Sequence, residues 1–100
     1  MLEYNFNLDD GSLSDKKVFF DFERGLPDGS TIDSEGYIWN CRWGGSCVVR
    51  IDPNGNIDKI YELPVENVTN CVFGGSDLKT LYITTAVSYT HLTLPTTSAV

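Results

Sequence analysis

LPDGSTIDSEGYIWNCRWGGSCVVRIDPNGNIDKIYEL (residues 26–63) holds four short runs of strand-forming side chains, at 30–33, 37–43, 47–52 and 57–62. The gaps between them carry the residues that tight turns demand. Ser34-Glu35-Gly36, Gly44-Gly45 and Asp52-Pro53-Asn54-Gly55 supply Gly or Asn for positive φ, or a proline that presets φ. Strands joined this closely pair as antiparallel hairpins, so the stretch predicts a four-stranded meander. Outward from it, helical periodicity is nearly absent. Residues 2–7 and 17–22 (KVFFDF) are expected to pair as outer strands around the Asp9-Asp10-Gly11 turn, and 70–73 and 80–85 to open a further sheet. The expected class is all-β.

DGSTIDSEGYIWNC and TNCVFGGSDLKTLYITT share one plan: a small strand, a Gly-containing loop, then an apolar-aromatic-apolar strand. Matching Ile32 with Phe73 and Trp39 with Tyr82 gives a period of about 42 residues, the size of one propeller blade. In that scheme residues 1–22 are the outer strands of one blade, 27–63 a full blade, and 69–86 the inner half of the next. Trp39, Phe73 and Tyr82 then pack blade against blade. A propeller closes only with more blades, so residues 1–86 are expected to be part of a longer one.

The charge balance narrows the partners. Net charge is −7, and the seven Lys and Arg (16, 17, 24, 42, 50, 59 and 79) are scattered, so no basic stripe is available to neutralise phosphates. Nucleic acid and anionic membrane are not expected partners. No apolar run approaches the roughly 20 residues of a membrane helix, and the first residues, MLEYNFNLDD, lack the features of a signal peptide. The expected location is cytoplasmic. There the Asn67-Val68-Thr69 sequon would go unused, and Cys41, Cys47 and Cys71, without CxxC spacing, would be buried reduced thiols. DPNGNID alternates possible oxygen ligands, yet its Gly is misplaced for a calcium loop and no bidentate Glu follows, so it reads as a turn.

Composition breaks after Ala86. VSYTHLTLPTTSAV (87–100) has no charged side chain and contains the chain's one His. Residues 87–97 resemble the in-frame translation of a transposon adapter used in preparing sequencing libraries. The tail is therefore expected to be non-native and to add no strand to the sheet, and His91 is not read as a ligand or base.

PDG, IDSEGYIW, WGG, IDPNG, CVFGG and LYITTA, in that order, are together far more specific than any one of them. Across residues 1–86 the chain resembles the gluconolactonase and regucalcin family, also called senescence marker protein thirty. The resemblance implies a six-bladed β-propeller, of which this chain would supply about two blades. It also implies a divalent cation at one mouth of the central channel and hydrolysis of a sugar lactone. Residue chemistry alone makes Pro27-Asp28-Gly29 a turn, whereas the resemblance makes Asp28 a metal ligand and the candidate catalytic base, placed just before the inner strand. A hard carboxylate suits Ca²⁺ first, and Zn²⁺, Mn²⁺ and Mg²⁺ also accept it. The family's remaining ligands, a Glu and an Asn, would fall before Met1, in the remaining blades. Thr69, which aligns with Asp28 in the next blade, and its neighbour Asn70 are candidate channel-lining residues. Asp33 and Glu35 read as solvated, or capping backbone amides, with support of Asp28 as the alternative. Two other functions stay open: a non-catalytic calcium- or ligand-binding propeller, and an interaction scaffold without metal.

Overall fold

The computed structural model describes residues 1–86 and the backbone of 92–95, and among these it contains nine strands in three antiparallel sheets and no helix. A two-stranded sheet pairs β1 (Leu2–Phe6) with β2 (Leu13–Val18). A four-stranded meander runs β3 (Leu26–Ile32), β4 (Ile38–Trp43), β5 (Cys47–Ile51) and β6 (Ile57–Glu62), each strand paired to the next. The third sheet orders β7 (Val68–Gly74), β8 (Thr80–Thr85) and β9 (Leu92–Pro95).

The turns follow their chemistry. Asp52 Oδ1 accepts from the Asn54 and Asn56 amides, and Gly55 takes φ 86°, so DPNGNID is a turn. Gly36 turns the β3–β4 hairpin at φ 81°, where an L side chain would be strained.

Period-2 alternation splits the meander between two cores. Trp39, Cys41 and Val48 point to one side and pack with Val68, Cys71, Phe73, Leu81 and Ile83 of the third sheet. Trp39 is fully buried there, stacked on Tyr61 at 5.1 Å and edge-on to Phe73 at 5.4 Å. On the other side Cys47, Val49 and Ile51 bury Phe20, with Phe19 and Phe22 against them. All three cysteines are buried and unpaired, as the sequence implied.

Four boundaries or placements depart from expectation. The run at 17–22 is a strand only to Val18, because the polar backbone groups beyond it are used elsewhere. Phe20 O accepts from the backbone nitrogen of Met1 and Phe22 O from Arg42, and the phenyl rings fill the second core. β3 begins at Leu26, so Pro27-Asp28-Gly29 lies within a strand instead of forming a turn before it; β3 is a sheet edge, where a proline costs no ladder bond. Tyr82 is 40% exposed, not packed between sheets. Leu81 and Ile83 turn toward Trp39, so Tyr82, with Val72, faces the side of the third sheet that nothing among the described residues covers. Finally, Leu92–Pro95 does extend a sheet, pairing with β8 from Ile83↔Leu92 to Thr80↔Pro95. The outer edge of β8 is open, and alternating Leu and Thr suit a strand, so pairing is independent of the segment's origin. The rest of the tail, His91 included, lies outside the described residues.

Leu2, Phe6, Leu13 and Val18 on the first hairpin and Val72 and Tyr82 on the third sheet are exposed. The chain expressed alone is expected to self-associate through these surfaces. Sedimentation of residues 1–86 checks this, and a monomer at high concentration would contradict it.

Candidate functional site

Between the pairs Pro27↔Arg42 and Ser30↔Asn40 the β3–β4 register shifts: Asp28 and Gly29 on β3 oppose the single residue Cys41 on β4. That two-against-one count is a β-bulge, a device that re-aims a side chain out of the regular alternation. Asp28 is exposed, and its carboxylate has no hydrogen-bond or ion-pair partner among the described residues.

The bulge is held from two directions. From β4, Asn40 Nδ2 donates to Asp28 O at 3.1 Å and to Ser30 Oγ at 2.8 Å. Asn40 Oδ1 accepts from Arg42 Nη1 at 2.9 Å. From β7, Asn70 and Thr69 press on Gly29: a Cβ there would collide with the Asn70 carboxamide and sit 2.7 Å from Thr69 O. Thr69 and Asn70 therefore stand against the bulge at Gly29, next to Asp28 in the chain. Asn70 Oδ1 is engaged by the Cys71 amide, and Thr69 Oγ1 shares a hydrogen bond with Thr84 Oγ1. Gly29→Ala is expected to cost about 1–3 kcal/mol, since both obstructing groups belong to a packed strand; a urea midpoint unchanged within error would contradict the close approach.

Arg42 is almost fully buried without a carboxylate partner, and its guanidinium is satisfied by the carbonyls of Phe22, Arg24 and Gly25 and by Asn40. Burial pushes its pKa down from the usual arginine value. Neither Asn40 nor Arg42 was singled out from the sequence. The available signal was their place two residues apart on one face of a strand whose neighbours are apolar.

Asp33 is a correction. Its side chain is fully buried rather than solvated. Oδ1 does cap the amides of Glu35 and Tyr37, as expected, but Oδ2 accepts from Trp39 Nε1 and from Nε and Nη2 of Arg50. Arg50 also reaches Asp58 and lies 3.8 Å over the Tyr37 ring. This cluster ties the meander together and has no contact with Asp28. Glu35 is exposed, 3.8 Å from Arg50.

As a cation site, Asp28 fits as one hard oxygen ligand: anionic, accessible and uncommitted. Among the described residues no group of three or more His, Cys, Asp or Glu could hold a metal ion.

The family profile described as SMP-30/Gluconolactonase/LRE-like region matches residues 1–87. The chain belongs to that family. It is 44% identical over 85 residues to a pentonolactonase, XacC, of Haloferax volcanii, an alignment covering 83% of this chain and 29% of the relative. Among solved structures it is similar to a calcium-binding protein, regucalcin, of Agrobacterium tumefaciens, with TM-score 0.76, 35% identity, and coverage of 88% and 31% of the two chains. It is also similar to a gluconolactonase of Xanthomonas campestris, with TM-score 0.76, 26% identity, and coverage of 94% and 29%. The chain thus spans under a third of the length of these relatives. The fold is that of part of a β-propeller.

Proposed function

We propose that the full-length protein carrying this segment is a divalent-cation-dependent sugar lactonase, in which Asp28 serves as a cation ligand and as the proton acceptor. The observation that carries this reading is the exposed carboxylate with no partner among the described residues, on a strand bulge, in a chain related to proteins named as lactonases. A bound cation would polarise the lactone carbonyl and acidify a water molecule. Asp28 has two oxygens, so one can face a cation while the other accepts the proton released as water attacks the ester carbon. Ca²⁺ leads as the ion because it gathers many oxygen ligands, and Mn²⁺, Mg²⁺ and Zn²⁺ also take a carboxylate. Additional ligands come from the remaining blades. Three unpaired buried thiols favour a reducing compartment, the cytoplasm.

A second reading, cation binding without turnover, draws on the relative titled a calcium-binding protein. The two separate on one experiment. The full-length protein is stripped with chelator and assayed on gluconolactone against the spontaneous rate, with Ca²⁺, Mn²⁺ and Zn²⁺ added back in turn. Restored turnover supports the lactonase. Cation binding by calorimetry with no turnover supports the second reading and overturns the first.

A further inference from the structure

We propose that Asn40, oriented by Arg42, is a positioning residue for Asp28, an assignment that rests on the lactonase reading above. A bulge interrupts the ladder at the residue that must be aimed most accurately. Asn40 supplies the missing cross-strand bond from its side chain. By donating to the carbonyl of Asp28 it fixes the Asp28–Gly29 peptide plane, and with it the direction in which the Asp28 side chain leaves the backbone. The carboxamide has no freedom to flip. Its Nδ2 faces two acceptors, Asp28 O and Ser30 Oγ, while its Oδ1 meets a guanidinium that can only donate. Arg42 is in turn anchored on the carbonyls of Phe22, Arg24 and Gly25. A chain of hydrogen bonds therefore runs from the Phe22–Gly25 connection through Arg42 and Asn40 to the backbone of Asp28. Both side chains are nearly fully buried, at 1% exposure for Asn40 and 2% for Arg42, so neither meets substrate directly.

Burial and complete satisfaction would also fit a role in stability alone, and Asn40→Asp tells the two apart. The substitution keeps the shape and still accepts from Arg42, but an ionised carboxylate has no N–H to give the Asp28 carbonyl. It also adds a negative charge, which by simple attraction would tighten cation binding. Loosened binding therefore reports a misaimed Asp28.

In the full-length protein, Asn40→Asp is expected to weaken Mn²⁺ affinity measured by calorimetry and to lower kcat, each by about 10–100-fold, the usual effect of losing a residue that orients a ligand. KM should move little, and hydrogen exchange at the Gly29 and Ser30 amides of the cation-free protein should quicken. Arg42→Lys, which keeps the buried charge but not the fork, should change the same quantities in the same direction by less, and it provides the test should the first variant fold poorly. Mn²⁺ affinity, kcat and exchange all unchanged in both variants, with only thermal stability lowered, would overturn the proposal. Asp28→Asn made in parallel distinguishes the failures. If it abolishes turnover while the Asn40 variant does not, the positioning role alone falls; if Asp28→Asn is itself without effect, the lactonase role of Asp28 falls and takes this proposal with it.

Discussion

Asp28→Asn in the full-length protein is expected to lower lactone turnover by about two to four orders of magnitude, the range that a well-placed proton acceptor contributes. The amide matches the carboxylate in shape but carries no charge for a cation and has little basicity. Folding should be nearly unaffected, because among the described residues the exposed carboxylate makes no hydrogen bond or ion pair that the substitution could break. A surface change of that kind shifts stability by about 0.5 kcal/mol or less. The expected result is thus a large kinetic defect with an unchanged thermal midpoint in the cation-free protein, cation binding itself being what would separate the midpoints of the loaded ones. Steady-state kinetics at saturating cation, with calorimetry of the same preparations freed of cation, checks both halves. Turnover within threefold of the parent would return Asp28 to a purely structural role.

The paired elements of the fold were legible because their turns are chemically explicit: the hairpins at Ser34-Glu35-Gly36, Gly44-Gly45 and Asp52–Gly55 lie where Gly, Asn and Pro demand them. What sequence patterns could not convey was side-chain substitution for backbone bonds. Pro27-Asp28-Gly29 has turn composition, yet it continues a strand because Asn40 supplies a bond across the bulge. KVFFDF has strand composition, yet it leaves the ladder after Val18 because the backbone nitrogen of Met1 and the side chain of Arg42 take its carbonyls. Asp28 became a candidate through family resemblance alone, since a single carboxylate in a Pro-Asp-Gly run has no chemical signature of its own. The buried partner of Asp33 was hidden for a related reason. Arg50 is 17 positions away and meets Asp33 only once β3, β4 and β5 are laid side by side.

That buried cluster carries the largest stability effect. Asp33→Ala is expected to destabilise the fold by about 3 kcal/mol, the lower end of the cost of removing one partner of a buried ion pair, because Arg50 keeps Asp58. Five hydrogen bonds end on this carboxylate, so its removal leaves Nε and Nη2 of Arg50, the Trp39 indole N–H and two backbone amides without their acceptor at once, Arg50 keeping Asp58 through Nη1. Against a typical domain stability of about 5–15 kcal/mol, such a loss is large enough to depopulate the native state at moderate temperature. The pH dependence has a definite sign. Burial alone would raise the Asp33 pKa, but the donors from Trp39, Tyr37, Arg50 and Glu35 outweigh it and hold the value below that of a free carboxyl. A carboxylate with a depressed native pKa contributes stability that is complete above its unfolded value, near 3.9, and is lost as pH falls through the native one. The parent should therefore lose stability below about pH 4, whereas the Asp33→Ala variant lacks this component of the acid dependence. Removing both charges, as Asp33→Leu with Arg50→Met, is expected to recover part of the loss, because no unpaired charge stays buried. Urea unfolding of parent, single and double variants at pH 7 and pH 3 measures all of this. A single variant as stable as the parent at pH 7 would mean that water or a rearranged Arg50 satisfies the vacated donors, and that the Asp33–Arg50 pair does not hold the meander.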